Sequence, residues 1–321
     1  MTELSFLDPI EADLGRVEVL LKDHPPEQHE AIGLAVDHLI SGGGKRLRPT
    51  LVLLSARLCG APMDQAVFAA AAAEMLHTAT LVHDDLIDGS LIRRGVQTLN
   101  ANWTPAATIL TGDYVFARAA YLIAQTKNVR MTQRFAATLM VICNGEIRQM
   151  FNGGPTANAV EEYERRIYAK TASLIALSSE AGGILANAQE AEVEALRRYG
   201  ERIGTAFQIV DDVLDFVADE EVLGKPVGSD LRHGLATLPT LLYLETEPGT
   251  SAVRQVLNGN RSNDVLQEAV QDVIASSAIE ESLTMARQHA DEAKTALHGF
   301  SSTPYRQALL DLADFTVDRR F

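Results

Sequence analysis

Two aspartate-rich segments, each at the end of an apolar helical run, constrain the fold of this chain more than any other feature of its sequence. LVHDDLIDG contains Asp84, Asp85 and Asp88, and QIVDDVLDF contains Asp211, Asp212 and Asp215. Side chains four residues apart share one face of a helix, so Asp84 and Asp88 point the same way, with Asp85 about 100° away. Because such carboxylates repel one another and oppose the helix dipole at a C-terminus, each cluster requires a cation.

Oxygen donors of this kind suit Mg²⁺, which binds one or two carboxylates and completes its shell with water and substrate phosphates. One cluster alone would equally fit a solvated acidic helix end. Two copies at the same spacing favour a shared cavity into which both clusters project. An EF-hand is excluded, because neither segment is followed by a glutamate at the required offset.

The composition predicts close-packed helices. Hydrophobic residues make up 46% of the 321 residues but aromatic residues only 6%, and alanine is abundant, which favours helices over a sheet. Apolar periodicity predicts helices over 8–22, 27–40, 50–59, 64–83, 104–127, 130–152, 159–186 and 190–218, with shorter helices from 234 to 318. Residues 89–103 are predicted to form a loop. Without a strand pattern or a linker, the sequence predicts one all-helical domain over 1–321, although its length allows two.

The charge and the chain ends exclude several classes of protein. A formal net charge of −15, with no basic region, argues against nucleic-acid binding. The acidic N-terminus predicts no signal or transit peptide, and without a run of 18 apolar residues no membrane span is predicted. Cys59 and Cys143 lie in apolar helical segments without metal-ligand spacing, so we expect reduced core residues of a cytosolic protein.

Cationic side chains are concentrated in a few segments. SGGGKRLRP places Lys45, Arg46 and Arg48 after three glycines at the start of a helix, an arrangement that suits a phosphate site or an ordinary basic turn. The segment is not a Walker loop, because Lys45 is followed by arginine. His77 lies two helical turns before Asp84, although a histidine there is more often a core residue.

Further along the chain, Lys170 lies in the apolar segment YAKTASLIALSS and needs an anionic partner. The polar, glycine-bearing segment LGKPVGSDLRHG, which contains Lys225, is typical of a lid. On helix 130–152, one stripe passes from apolar to polar residues through Phe135, Leu139, Ile142, Glu146 and Gln149. This stripe is either part of a core or a wall that leads from a polar site into an apolar pocket.

These segments occur in the order typical of one family. GGGKRLRP, EMLHTATLVHDD, GDYVFARA, KTA at residues 170–172, DDVLD and GKPVGSDL together resemble a trans-isoprenyl diphosphate synthase of the polyprenyl synthetase family over nearly the full length. The resemblance implies a homodimer of all-α subunits, each a helical bundle of the isoprenoid synthase type with a central cavity lined by the two DDxxD motifs. It also implies that isopentenyl diphosphate is condensed with an allylic prenyl diphosphate.

The resemblance assigns roles by position. Three Mg²⁺ ions would bridge Asp84, Asp88 and Asp211 to the allylic diphosphate, with Asp85, Asp212 and Asp215 in or near their shell. Lys45, Arg48, His77 and Arg94 match ligands of isopentenyl diphosphate, whereas Arg93, Lys170, Thr171, Gln208 and Lys225 match ligands of the allylic substrate. The metals draw off the diphosphate, isopentenyl diphosphate attacks the carbocation, and a proton is lost to the departing diphosphate. Leu235 stands where many members carry lysine, so one cation near the second cluster is either missing or supplied by Arg232 or His233.

The resemblance also predicts a product longer than geranylgeranyl diphosphate. Ala79 and Thr80, one turn before the first aspartates, are small where short-chain members carry aromatic residues, which leaves the hydrocarbon tunnel open. The next floor is Phe135, which lies about 21 Å from Gln149 along the helix axis, or at least about four prenyl units. A geranylgeranyl diphosphate synthase is the runner-up.

Two other classes of protein remain as alternatives. A terpene cyclase typically has one aspartate-rich motif and no isopentenyl diphosphate site, so GGGKRLRP argues against it. A non-catalytic subunit of a heteromeric synthase would tend to lose the aspartates, and both clusters are intact. We expect the chain to be a cytoplasmic enzyme without a transmembrane segment. We expect it to contact a membrane only transiently, when it releases its product.

Overall fold

A computed structural model of the chain describes residues 5–25, 28–41, 45–93, 95–151, 159–218, 226–247 and 249–318. Helices dominate this part of the chain, which confirms the predicted all-α fold class. A 3₁₀ helix, Ser5–Ile10, precedes α1 (Glu11–Leu21), α2 (Glu30–Ser41), α3 (Leu47–Cys59), α4 (Met63–Ile87), α5 (Leu99–Asn102), α6 (Pro105–Gln125), α7 (Val129–Phe151) and α8 (Ala159–Ile167). A π-helical turn, Tyr168–Ala172, precedes α9 (Ser173–Leu185), α10 (Glu190–Val217), α11 (Ser229–Arg232), α12 (Leu238–Thr246), α13 (Ala252–Leu257), α14 (Asn263–Ala275), α15 (Ala278–Ala296) and α16 (Pro304–Val317).

The chain folds into two compact units, each assembled from three separate stretches of sequence. The first unit comprises Met1–Leu139, Leu174–Gly200 and Ala296–Asp311, and the second comprises Met140–Ser173, Glu201–Thr295 and Leu312–Phe321. All five boundaries between the stretches fall inside helices, namely α7, α9, α10, α15 and α16, so neither unit is a contiguous sequence domain. The predicted single domain over residues 1–321 stays a prediction.

Helix α4 is the core helix of the first unit. Its alanine-rich residues 69–73 are buried, and the helix packs against α1, α3 and α6. Gly112 of α6 lies so close to His83 of α4 that a Cβ added at Gly112 would be 2.2 Å from the imidazole Nε2. The sequence predicts no membrane span, yet α4 has the length and composition of one. Most of its apolar stretch is buried inside the protein, as expected of a core helix.

Two apolar clusters form the core of the second unit. The first packs α8, α10 and α12 together through Tyr163, Ile167, Ile209, Val210, Leu238 and Leu241. The second brings together α10, α13 and α14 through Phe216, Val253, Val256, Leu266 and Val270. Helix α10 carries the second aspartate cluster and α8 leads into Lys170, so the first core cluster fixes the backbone that supports both.

A short antiparallel hairpin lies within the segment that was predicted to be a loop. Ile92–Arg93 pairs with Val96–Gln97, and Gly95 in the turn has a φ of +75°, which glycine adopts readily. Strands of two residues are too short for an alternating pattern to reveal them. A further break at 276–277, also absent from the prediction, separates α14 from α15.

The prediction that both cysteines are core residues is wrong for Cys143. This side chain is exposed, because it lies on the outward face of α7, whereas its neighbour Ile142 is buried. Cys59 is half-buried at the end of α3, and both cysteines are free. Burial raises the pKa of the Cys59 thiol to about 11, so this thiol is protonated at neutral pH.

Candidate active site

The first aspartate cluster lies at the C-terminal end of α4, in the first unit. Asp85 is buried and forms an ion pair with Arg93, whose Nε lies 2.9 Å and whose terminal nitrogen lies 2.8 Å from Oδ1. Asp84 is half-buried and Asp88 is exposed just beyond the last helical residue, where its N–H donates to the Asp84 carbonyl at 2.8 Å. The middle carboxylate is thus buried beside a cation, while Asp84 and Asp88 each keep part of their surface exposed.

The hairpin that supplies Arg93 is anchored to the end of α4. The N–H of Ser90 donates to the Asp85 carbonyl at 2.8 Å, and the Thr98 hydroxyl donates to the Ser90 carbonyl at 2.7 Å. Arg93 therefore sits beside the cluster, although its assignment to the allylic substrate stays a prediction. Arg94 lies outside the described residues.

The cationic segment before α3 is fixed by Arg46, which had no predicted role separate from that of Lys45 and Arg48. Arg46 has a left-handed backbone with a φ of 47°. Its guanidinium donates to Glu18 of α1 at 2.6 Å, to Glu74 of α4 at 3.0 Å and to the Ile40 carbonyl at 3.0 Å. Burial lowers the pKa of Arg46, but its hydrogen bonds and charge interactions with Glu18 and Glu74 outweigh that effect and raise it.

Arg46 lies between two of the predicted ligands of isopentenyl diphosphate and contacts the helix that carries a third. Lys45 is exposed and Arg48 is half-buried, on either side of the anchored Arg46. His77 is half-buried and lies three residues after Glu74 on α4, so Arg46 ties the segment to the helix that carries His77. The three cations remain predicted ligands.

The second aspartate cluster lies near the end of α10, in the second unit. Asp212 is 3% exposed and accepts hydrogen bonds from the Tyr163 hydroxyl and from Nε2 of Gln208, both at 2.8 Å. Burial raises the pKa of Asp212 to about 7, against the opposing effect of these two hydrogen bonds. Burial, followed by the charge of Asp212, raises the pKa of Tyr163 as well. Asp211, in contrast, is half-buried.

Asp215 holds the C-terminal part of the predicted lid segment. Its Oδ2 accepts the N–H of Asp230 at 3.0 Å, and its carbonyl accepts the N–H of Gly228 at 2.7 Å. Nε of Arg232 donates to the Val227 carbonyl at 3.0 Å. Asp215 thus fixes the short helix α11 on α10. The preceding residues 219–225, with the predicted ligand Lys225, lie outside the described residues.

The π-helical turn between α8 and α9 presents two of the predicted allylic ligands. The apolar surroundings of Lys170 predicted an anionic partner, and Glu146 is that partner. The Lys170 ammonium lies 3.2 Å from Oε1 of Glu146. Thr171 is buried and its hydroxyl donates to Oε1 of Gln208 at 2.7 Å. The structure therefore joins Thr171 and Gln208 directly.

Leu235 follows α11 and is half-buried. Its N–H donates to the Asp230 carbonyl at 2.9 Å. The proposed substitutes for a lysine there are both bonded to nearby backbone, since Nε of Arg232 donates to Val227 and Nδ1 of His233 lies 2.7 Å from the Ser229 carbonyl.

The predicted chain-length residues all lie in the first unit. Ala79 is fully buried, and Thr80 is half-buried with its hydroxyl donating to the His77 carbonyl at 2.7 Å. Phe135 is buried at the apolar end of the α7 stripe, and Ile142 is also buried, whereas Glu146 is half-buried. The stripe is an inward face of α7, as predicted, and its role as a tunnel wall stays a prediction.

The carboxylates fit an ion that takes few protein ligands. Among the residues that the structure describes, no group of three histidine, cysteine, aspartate or glutamate side chains is placed to hold a metal ion. Mg²⁺ needs only one or two carboxylates when substrate phosphates and water complete its shell. The chemistry of Asp84, Asp88 and Asp211 is therefore compatible with divalent ions that bind together with a phosphate substrate.

Tyr163 had no predicted role, and Arg46 was predicted only as one of the cations of a possible phosphate site, whereas its guanidinium contacts Glu18 and Glu74. Tyr163 continues the apolar spacing of α8 with Val160 and Ile167, which indicates only a core position. Buried tyrosine hydroxyls nearly always have a hydrogen-bond partner, so the signal was available, but the sequence could not identify Asp212 as that partner.

The sequence profile described as Polyprenyl synthetase matches residues 29–273. The chain belongs to the polyprenyl synthetase family. The resemblance inferred from the motifs is thereby confirmed, and the family's all-α architecture agrees with the helices described above.

Individual relatives are similar over almost the whole chain. Octaprenyl diphosphate synthase of Escherichia coli K12 is 37% identical over 284 residues, 88% of each protein. Heptaprenyl diphosphate synthase component 2 of Geobacillus stearothermophilus is 39% identical over 311 residues, 96% of each protein. The crystal structure of a polyprenyl synthase from Caulobacter crescentus CB15, complexed with calcium and isoprenyl diphosphate, has a TM-score of 0.92 and 39% identity and covers 98% of this chain and 97% of its own.

Proposed function

We propose that this trans-prenyltransferase condenses isopentenyl diphosphate with an allylic prenyl diphosphate and makes an all-trans polyprenyl diphosphate longer than 20 carbons. The observation that carries the proposal is the arrangement common to both clusters. In each, the protein binds the buried middle carboxylate, and the first carboxylate remains partly accessible. That arrangement provides oxygen ligands in two places for the cations that a diphosphate substrate brings with it.

In the proposed reaction, the chain's own residues bind and orient the two substrates. Lys170 and Thr171 bind the allylic diphosphate, and Lys45, Arg48 and His77 bind isopentenyl diphosphate. The allylic C–O bond breaks, the double bond of isopentenyl diphosphate supplies the electron pair of the new C–C bond, and a proton passes to the released diphosphate. Asp84, Asp88 and Asp211 hold divalent ions, which supply neutralisation of the diphosphate charge when they are bound.

Mg²⁺ is the proposed ion, with three ions in each active site. Carboxylate and phosphate oxygens are its preferred ligands. The Caulobacter crescentus neighbour was crystallised with calcium, another divalent ion that takes oxygen ligands. Activity measured with Mg²⁺ and after chelation tests the requirement, and activity that is unaffected by a chelator would contradict it.

A product longer than 20 carbons is supported by the names of the relatives, which are octaprenyl and heptaprenyl diphosphate synthases, and by the small side chains of Ala79 and Thr80. Product sizing for the wild type, Ala79→Phe and Phe135→Ala tests this length. We expect a ring at position 79 to shorten the product. A wild type that stops at 20 carbons would instead support the geranylgeranyl alternative.

We also propose that the enzyme is a cytoplasmic homodimer that contacts a membrane transiently when it releases product. One observation favours a second arrangement, because the Geobacillus stearothermophilus relative is named as a component of a synthase. An assay of the purified chain alone, with Mg²⁺, farnesyl diphosphate and labelled isopentenyl diphosphate, distinguishes a self-sufficient enzyme from a component that needs a partner. Chain extension by this preparation supports a self-sufficient enzyme. No consumption of isopentenyl diphosphate with any allylic primer would contradict the proposed function.

A further inference from the structure

Two hydrogen-bonded contacts hold the chain against α10, one on each side of the start of the π-helical turn Tyr168–Ala172. Before the turn, the Tyr163 hydroxyl donates to Oδ2 of Asp212 at 2.8 Å. Within it, the Thr171 hydroxyl donates to Oε1 of Gln208 at 2.7 Å. Nε2 of Gln208 in turn donates to Oδ1 of Asp212 at 2.8 Å. The four side chains form one continuous chain of hydrogen bonds that is centred on Asp212.

This chain of hydrogen bonds is well shielded from solvent at its Tyr163 end. Tyr163 is 2% exposed and Asp212 is 3% exposed, and the tyrosine ring packs in the apolar cluster with Ile167 and Ile209. Both carboxylate oxygens of Asp212 accept a hydrogen bond from the protein. In such surroundings hydrogen bonds polarise one another, and the loss of one donor weakens the rest.

The turn places its two predicted ligands in different surroundings. A π-helical turn departs from the regular helical pattern of backbone hydrogen bonds, and such turns occur often at functional sites. Here the turn leaves Lys170 exposed and Thr171 buried. Lys170 contacts Glu146 of α7, whereas Thr171 contacts Gln208 of α10. The direction of both side chains therefore depends on how the turn is attached to α10.

We propose that Tyr163 is a positioning residue for the allylic diphosphate subsite. Its hydroxyl fixes Asp212, Asp212 fixes Gln208, and Gln208 fixes Thr171, so that the turn presents Lys170 and Thr171 in a single arrangement. The inference rests on the proposed function, because it takes Lys170 and Thr171 as ligands of an allylic diphosphate. It also gives Asp212 a role inside the protein, as the acceptor that joins α8 to α10.

Tyr163→Phe is the most direct test, because it removes only the hydroxyl and keeps the apolar contacts of the ring. Tyr199→Phe is a matched control. Tyr199 also lies on buried helix surface, on α10, and its hydroxyl donates to the Leu309 carbonyl at 2.7 Å within the first unit. Both substitutions remove one buried tyrosine hydrogen bond, so we expect similar decreases in Tm.

The measurements are the Kd of farnesyl thiodiphosphate by calorimetry, with Mg²⁺ present, and the KM values of both substrates. For Tyr163→Phe we expect the Kd of the analogue and the KM of farnesyl diphosphate to rise about 5- to 20-fold, with the KM of isopentenyl diphosphate changed less than about 2-fold. For Tyr199→Phe we expect all three constants to change less than about 2-fold. If the role of Tyr163 is purely structural, Tyr163→Phe should likewise change all three constants less than about 2-fold, and that result would overturn the proposal.

A double-mutant cycle tests the proposed route through Gln208. If Tyr163 acts on the subsite through Thr171, then Tyr163→Phe combined with Thr171→Val costs little more than Thr171→Val alone. Fully additive effects on the Kd would overturn the route. If Tyr163→Phe fails to fold, Asp212→Asn tests the same chain of hydrogen bonds, and an unchanged Kd for that variant would also overturn the proposal.

The two proposals can fail separately. A wild type that binds farnesyl thiodiphosphate but does not extend farnesyl diphosphate contradicts the proposed function, while the calorimetry still decides the role of Tyr163. A wild type that binds no allylic diphosphate analogue contradicts both.

Discussion

The two aspartate clusters share one sequence pattern, but the protein binds their middle carboxylates with different kinds of partner. Asp85, in the first unit, pairs with the guanidinium of Arg93, which the neighbouring hairpin supplies. Asp212, in the second unit, is bound by the neutral donors of Tyr163 and Gln208. Neutral donors do not compensate the burial of a carboxylate completely, and the pKa of Asp212 accordingly rises to about 7.

The third carboxylates differ because the two helices end at different places. Helix α4 ends at Ile87, so Asp88 lies beyond it and is exposed, whereas α10 continues to Val217, and Asp215 is buried on the helix. Asp215 is therefore available to accept the N–H of Asp230 and to fix α11. The comparison teaches that equal spacing places carboxylates equally on a helix, but that the surrounding elements decide which of them remains available for a ligand.

The largest expected effect tests whether the first aspartate has the same role in both clusters. Asp84→Ala and Asp211→Ala should each lower kcat by orders of magnitude, because each removes a carboxylate that we propose holds divalent ions. Both variants should keep their helical circular dichroism, since the loss of a carboxylate relieves repulsion. Asp264→Ala, at an exposed position in the first turn of α14, is the control. Full activity of either Asp84→Ala or Asp211→Ala would contradict the same role for the first aspartate in both clusters.

The second prediction separates two of the predicted cationic ligands, Lys45 and Lys170, by substrate. Lys45→Ala should mainly raise the KM of isopentenyl diphosphate and Lys170→Ala that of the allylic substrate, by roughly 10- to 100-fold, since a charged hydrogen bond contributes about 1.5–3 kcal/mol. Steady-state kinetics with each substrate varied in turn measures both effects. Glu146→Gln, which removes the partner of Lys170 but keeps the lysine, controls for the loss of that ion pair. Equal effects of each substitution on both substrates would contradict the assignment of Lys45 to isopentenyl diphosphate and of Lys170 to the allylic substrate.

A third, smaller effect compares the middle carboxylates by their contribution to stability. Asp212→Asn replaces an acceptor of two buried hydrogen bonds with an amide and should cost about 1–3 kcal/mol. Asp85→Asn weakens an ion pair whose arginine is 39% exposed, so water can solvate the guanidinium that remains and the cost should be smaller. Thermal unfolding should therefore give the lower Tm for Asp212→Asn. The opposite order would show that the charged pair is the stronger of the two anchors.

The smallest expected effect concerns Leu235. Leu235→Lys adds a cation close to α11 and should lower the KM of the allylic substrate about 2-fold at low ionic strength, with a smaller change at high salt because ions screen the added charge. Leu235→Gln, which has similar size but no charge, should leave this KM unchanged. A decrease for both variants would point to packing as the cause.

The sequence predicted much of the fold because local periodicity dominates it. Apolar spacing located α4, α7 and α10 to within a few residues, and the repeated aspartate pattern fixed which face of each helix carries carboxylates. The apolar surroundings of Lys170 also predicted an anionic partner, although they could not identify Glu146. The hairpin at 92–97 and the exposure of Cys143 escaped prediction, because two-residue strands give no period and burial on a helix depends on what packs against it.

The sequence by itself determined the helical fold class, the order of the family's motifs and the positions of the six aspartates. Only the tertiary structure decided which side chains bind the buried middle carboxylates, since Arg93 reaches back to Asp85 from the first strand of the hairpin and Tyr163 reaches Asp212 across 49 positions of the chain. A helix fixes the direction of a side chain through local backbone geometry, whereas the hydrogen bond from Tyr163 to Asp212 needs a partner from another helix. For that reason Asp211 and Asp212, although adjacent in sequence, differ in burial and in the roles that we propose for them.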